Sequence, residues 1–225
     1  MSEDYKTQNY LLAYLDVLGS KKRIDEDQDK SLQKIHNAYD SARKLYVNLY
    51  GNTWYDFKIF SDNIIISVPA KNEKNLREKF PKFVVMVSLI QLNFLVYDML
   101  VRGGIVYGSY FTDDLMIWGE ALTTAYSLES KIAIYPRIIV DQDLVGLLRV
   151  FNGTKNKLKD YGLLLDNDGF CYLDYLLDSL LSQFPSLLNI ERDRNEERLL
   201  TMKDTKILQK FKWHQNYIQS KFKQD

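Results

Sequence analysis

Short apolar runs that end in turn residues alternate along the chain with longer stretches whose apolar positions recur every three or four residues. Residues 10–15 are apolar throughout and are closed by Asp16 and Gly19, a length and an ending that predict a buried central strand. Leu32, Ile35, Tyr39, Ala42, Tyr46 and Leu49 fall on one face of a predicted amphipathic helix. Residues 54–60 and 64–68 are β-rich runs around Ser61, Asp62 and Asn63, a hairpin with Asp62 and Asn63 in its turn. Pro69 stops the second strand, and a helix follows, restarting at Pro81. Residues 105–111 and 115–118 form a second predicted hairpin around Thr112, Asp113 and Asp114. A helix over 121–132 and a strand over 137–140, preceded by Pro136, complete the pattern.

The order β-α-β-β-α-β-β-α-β predicts an α+β fold: a ferredoxin-like, mostly antiparallel sheet with helices on one face. From about residue 152 the texture changes. Residues 161–175 suit a further hairpin and 176–190 are apolar. Residues 191–198 are densely charged, as a solvated loop or helix face would be, and 207–222 suit a terminal amphipathic helix. The expected organisation is a domain over 1–150 and a hairpin and helical extension over 151–225.

Charge and composition narrow the partners. Thirty basic and 30 acidic residues cancel, so no net positive field favours nucleic acid. Cys171 is the single cysteine; no internal disulfide can form, which points to a reducing, cytoplasmic setting. The first residues are polar, with no apolar core of a signal peptide. Residues 83–101 are nearly as long as a membrane span, but Ser88, Gln91, Asn93 and Asp98 interrupt them, so a buried helix is expected rather than a span.

Asp16 ends the first strand and Asp62 sits at the tip of the first hairpin. If those strands are neighbours, both carboxylates leave the sheet at one edge, where oxygen donors suit hard cations such as Mg²⁺. Alone, an aspartate after a strand or in a turn is ordinary turn chemistry. Its context changes the weighting. Tyr14-Leu15-Asp16-Val17-Leu18-Gly19 resembles the first metal motif of class III nucleotidyl cyclases, and Lys58-Ile59-Phe60-Ser61-Asp62 resembles the second. Arg102-Gly103-Gly104-Ile105-Val106-Tyr107-Gly108 resembles a glycine-rich strand of that family. The run from Ile117 through Gly119 and Glu120 to Glu129 resembles its Trp-Gly-Asp helix, and Tyr135-Pro136-Arg137-Ile138-Ile139-Val140 resembles a following strand. The five matches keep the family's order over residues 10–145.

That resemblance implies cyclisation of a nucleoside triphosphate: the ribose 3′-oxygen attacks the α-phosphate and pyrophosphate leaves. Asp16, Asp62 and the Val17 carbonyl would hold two Mg²⁺ or Mn²⁺ ions. Gly19, Ser20, Lys58, Met116, Thr123 and Ser127 fall on substrate-binding positions, and the composite site of the family implies a homodimer. There are departures. Thr123 stands where the family has its transition-state Asn and Ser127 where it has Arg, so neither brings a positive charge; Lys21, Lys22, Lys131 and Arg137 are the alternative sources. Lys58 falls on an adenine-selecting position whose usual partner, Asp, is replaced by Met116. In overall likeness and stand-alone size, a small, divergent chain of this kind resembles the pyrimidine cyclases of Pycsar systems, which implies UTP or CTP as substrate and an anti-phage second messenger as product. The alternative is a catalytically degenerate cyclase-like module for nucleotide binding or dimerisation.

Overall fold

The computed structural model describes residues 5–51, 55–151 and 158–222. β1 (Gln8–Val17) is followed by a short helix α1 (Ser20–Glu26) and the long helix α2 (Gln28–Tyr50). The hairpin β2 (Asp56–Phe60) and β3 (Asn63–Pro69) leads into α3 (Glu73–Val96), and β4 (Val101–Thr112) is followed by β5 (Ile117–Trp118). Next come α4 (Glu120–Ser127), continued by a π-helical turn over Leu128–Ile132, then β6 (Ile138–Val140) and α5 (Gln142–Phe151). A 3₁₀ turn over Leu158–Tyr161, β7 (Leu163–Leu165), β8 (Cys171–Leu173), α6 (Asp178–Leu181), α7 (Leu187–Thr201) and α8 (Thr205–Phe222) complete the chain.

The main path of the sheet runs β2-β3-β1-β4-β6-β8-β7, with β5 paired to β4. Every pairing is antiparallel except β4 with β6. The chain is thus the α+β protein its pattern predicts, and the hairpin β7–β8 extends the sheet through β6. β1 lies at the centre, and all residues from Tyr10 to Leu15 are buried. Because successive side chains point to opposite faces, such a strand is covered on both sides. α4 reaches the sheet closely through Gly104: a Cβ there would stand 2.6 Å from the Ala125 carbonyl oxygen and from Leu128 Cβ.

Three local readings need correction. The predicted restart at Pro81 is absent, and α3 runs unbroken through that proline. Losing one N–H bond costs about 3 kcal/mol; burial of Phe80, Phe83, Val84 and their neighbours further along the helix offsets it. The tight turn between β2 and β3 is Ser61-Asp62, with Asn63 already paired to Phe60, and Ser61 takes the left-handed conformation at φ 55°. The face of α2 that meets the core is centred on Ala38, Ala42 and Tyr46, leaving Leu32 and Leu49 exposed. Trp54, read as the start of β2, lies outside the described residues. α3 is long and apolar enough to cross a membrane, but it is mostly buried inside this fold.

Candidate active site

The register of the sheet brings the two aspartates together. Asp16, at the end of β1, pairs with Asn63 of β3 on one side and Arg102 of β4 on the other. Asp62 is the residue before Asn63, and its carbonyl accepts a bond of 3.2 Å from the Val17 amide. Strand end and hairpin tip are therefore tied by their own backbone, and both carboxylates belong to one edge of the sheet.

Each carboxylate is held from behind. Arg102 Nε donates to Asp16 Oδ2 at 3.0 Å, and Arg102 Nη2 forms an ion pair with Glu129 Oε1 at 2.5 Å. The Ser20 hydroxyl donates to Asp62 Oδ2, and Asn63 Nδ2 donates to Asp62 Oδ1 at 3.2 Å. Tyr14 in turn donates to Asn63 Oδ1 at 2.7 Å, which fixes that amide. Gly19, at φ 76°, supplies the left-handed step that turns β1 into α1 and buries Ser20 beside Asp62.

The field here is negative. Burial first, and then Glu129, Asp16, Tyr126 and Asp62, push the Tyr14 phenol up to about 12. Glu129 is itself raised above the usual carboxylate range, by burial first; Arg102 opposes the shift and Asp16 adds to it. The Asp16 and Asp62 carboxylates are hard oxygen donors in a negative field, a chemistry that fits a divalent cation. No group of three or more His, Cys, Asp or Glu residues is arranged for a metal among the described residues.

The other sequence-predicted residues lie on adjoining surfaces. Lys58 Nζ donates to the Asp113 carbonyl at 3.2 Å and stands 3.7 Å from Asp56. The Asp113 carboxylate accepts from the amides of Leu115 and Met116, closing the tip between β4 and β5. Lys58 and Met116 are thus brought to one corner. Thr123 is exposed on α4 and its hydroxyl bonds the Glu120 carbonyl of its own helix at 3.0 Å; Ser127 lies one turn on. Among the alternative cations, Arg137 is committed elsewhere: it is buried and bound by Asp166 and Asp168. Arg102 and Glu129 were not singled out as site residues. With β2 and β3 between them in the sequence, Arg102 and Asp16 are shown to be partners only by the register that places them opposite each other.

No family model matches the sequence, and no curated protein does. Solved structures match the fold. The monomeric guanylyl cyclase domain of the RhoGC fusion protein from the aquatic fungus Blastocladiella emersonii is similar at TM-score 0.51 and 12% identity, covering 75% of this chain and 97% of that one. The adenylyl cyclase CyaB from P. aeruginosa is similar at TM-score 0.49 and 16% identity, over 74% of this chain and 93% of its own. The catalytic core of a rhodopsin-guanylyl cyclase in complex with ATPalphaS gives 0.49 and 15%, over 77% and 99%. At 12% identity the likeness to the first of these is one of fold: the chain shares the α+β architecture of that cyclase domain.

Proposed function

We propose that the protein is a nucleotidyl cyclase that converts a nucleoside triphosphate to its 3′,5′-cyclic monophosphate and pyrophosphate. The observation that carries this reading is the convergence of Asp16 and Asp62 at one sheet edge, each held by its own polar partners, on a cyclase-type fold. The catalytic domain is residues 1–150, with 151–225 as its extension, and the setting is cytoplasmic. Asp16, Asp62 and the Val17 carbonyl would hold the two Mg²⁺ or Mn²⁺ ions. When bound, these cations would make the 3′-hydroxyl more acidic and screen the triphosphate.

The chain's own residues do the rest. Arg102 holds the Asp16 carboxylate in place, while Ser20 and Asn63 hold that of Asp62. In the reaction the 3′-oxygen forms a bond to the α-phosphorus, the bond to the pyrophosphate oxygen breaks, and the hydroxyl proton passes to solvent. UTP or CTP is the favoured substrate, because Lys58 offers a donor while Met116 offers no strong acceptor for a purine amine. The product would then be a second messenger in anti-phage signalling, the role implied by resemblance to the Pycsar cyclases.

A homodimer completes the reading. Leu115, Met116 and Trp118 near the second hairpin and Ile59 and Phe60 on β2 are exposed apolar residues. Lys58 links the two elements that carry them, and a second copy of the chain would cover this face.

A degenerate nucleotide-binding module is the second reading, favoured by the Thr123 hydroxyl that is spent on its own helix. Substitution separates the two. Asp16→Ala and Asp62→Ala should each abolish cyclic nucleotide formation in Mn²⁺ while leaving the circular dichroism spectrum unchanged. Near wild-type activity in either variant would remove the assignment.

A further inference from the structure

Beside the carboxylate pair lies a cavity of about 410 Å³, walled by Leu18 and Gly19 after β1, by α1, by the turn between α3 and β4, and by α7 and α8. That is within the range of small-molecule sites. Its charged lining is Lys22, Arg23, Arg198 and Lys210 against Glu26 and Asp98, a net positive wall next to a negative carboxylate site.

These cations differ in what they are free to do. Arg23 donates to the Asp98 carbonyl at 2.5 Å. Arg198 is bound to the Asp98 carboxylate and donates to Asn195 at 3.1 Å, so both arginines brace the wall. Lys22 is exposed and stands 3.6 Å from Glu26, a weak surface pair. Lys210, half-buried on α8, makes no hydrogen bond or ion pair among the described residues. Its ammonium is depressed by burial first and by Arg102 second, while Asp16, Asp204 and Glu129 pull the other way. It therefore lies within electrostatic reach of the carboxylate site while facing the cavity. A half-buried cation without a partner is unfavourable unless an anion joins it.

We propose that Lys210, assisted by Lys22, grips the terminal phosphates of the bound nucleoside triphosphate, so that the C-terminal helix supplies from the same chain the positive charge that Thr123 and Ser127 lack. This rests on the cyclase reading for the identity of the ligand. The cavity begins at Leu18, two residues after Asp16; in the proposed pose the α-phosphate lies at the carboxylates and the β- and γ-phosphates follow the cavity wall. Ammonium and phosphate oxygens form charge-assisted bonds of the stronger kind.

Inorganic pyrophosphate is the probe. Calorimetric titration of the full chain should show binding that K210Q weakens about tenfold and K210R largely restores. K206Q, an exposed change on the same helix outside the cavity, should leave affinity unchanged. In the wild-type protein pyrophosphate should also shield Lys210 from acylation, read by mass spectrometry, a measurement that needs no variant. Wild-type affinity in K210Q, equal weakening in K206Q, or acylation of Lys210 indifferent to pyrophosphate would each overturn the proposal. Turnover separates it from the reading beneath it. Pyrophosphate binding that depends on Lys210 in a chain that cyclises no triphosphate would keep the phosphate grip and remove the cyclase. Full cyclisation by K210Q would do the reverse.

Discussion

Arg102 and Asp16 are opposite each other across β4 and β1, and that single cross-strand pair orders much of the site. It joins the strand that carries the first carboxylate to Glu129 on the π-helical turn, so α4 is tied electrostatically to the sheet edge. A charge pair of this kind, about a quarter exposed or less, restrains geometry more than it adds stability. At the corner that holds Lys58 and Met116, the proposed base choice carries a prediction. Lys58 can donate, but Met116 is a weak acceptor, and leaving a buried amine unpaired costs about 1–3 kcal/mol. Met116→Asp should therefore shift the ratio of ATP to UTP turnover toward ATP by about tenfold. An unchanged ratio would show that Met116 does not face the base. Asp16 and Asp62 draw attention in the sequence by their places at a strand end and a hairpin tip, and Lys58, in the middle of β2, by the motif it shares with Asp62. Arg102, Asn63, Glu129 and Lys210 acquire meaning from register and helix packing, which motif order does not encode.

α7 and α8 show how a charged run becomes part of a core. The sequence reads residues 191–198 as a solvated face, yet Glu191 and Asn195 are buried. The reason is a polar network: Glu191 pairs with Arg194 at 2.6 Å, Arg198 Nη1 donates to Asn195 Oδ1, and Asn195 Nδ2 lies 2.9 Å from His214 Nδ1. Because the Asn195 oxygen already accepts from Arg198, its amide donates to Nδ1, and His214 is left to donate from Nε2 to the Tyr175 hydroxyl at 2.8 Å. Burial holds this neutral imidazole down to about 3, from an ordinary 6.5. The unfolded chain takes up a proton below pH 6.5 and the folded one does not. Stability is therefore fully present above that pH and is lost as pH falls toward 3, at up to roughly 1.4 kcal/mol per unit. The melting temperature should fall between pH 6.5 and 5, with a shallower slope in His214→Gln. Equal slopes would mean that His214 is not the group that titrates. α5 also escaped the sequence reading, although Leu144, Val145 and Leu148 share one buried face; it is only ten residues long and Gly146 interrupts it.

Across the whole molecule, the sheet places the carboxylates, the Lys58–Met116 corner and the exposed apolar hairpin along connected elements, and α7 and α8 wall the cavity that begins at Leu18. An isolated chain leaves Trp118 67% and Leu115 90% exposed, an arrangement that a two-fold partner would relieve. Light scattering should give twice the chain mass at concentrations where the protein is active, and Trp118→Glu should lower both mass and activity. Activity from a monomer would exclude the composite site. The central claim is tested most directly by incubating the purified full chain with each of the four nucleoside triphosphates and Mn²⁺, and identifying products by mass spectrometry. The account predicts cyclic UMP or cyclic CMP with equimolar pyrophosphate, above any product from ATP or GTP. Absence of a cyclic nucleotide from all four substrates would contradict it.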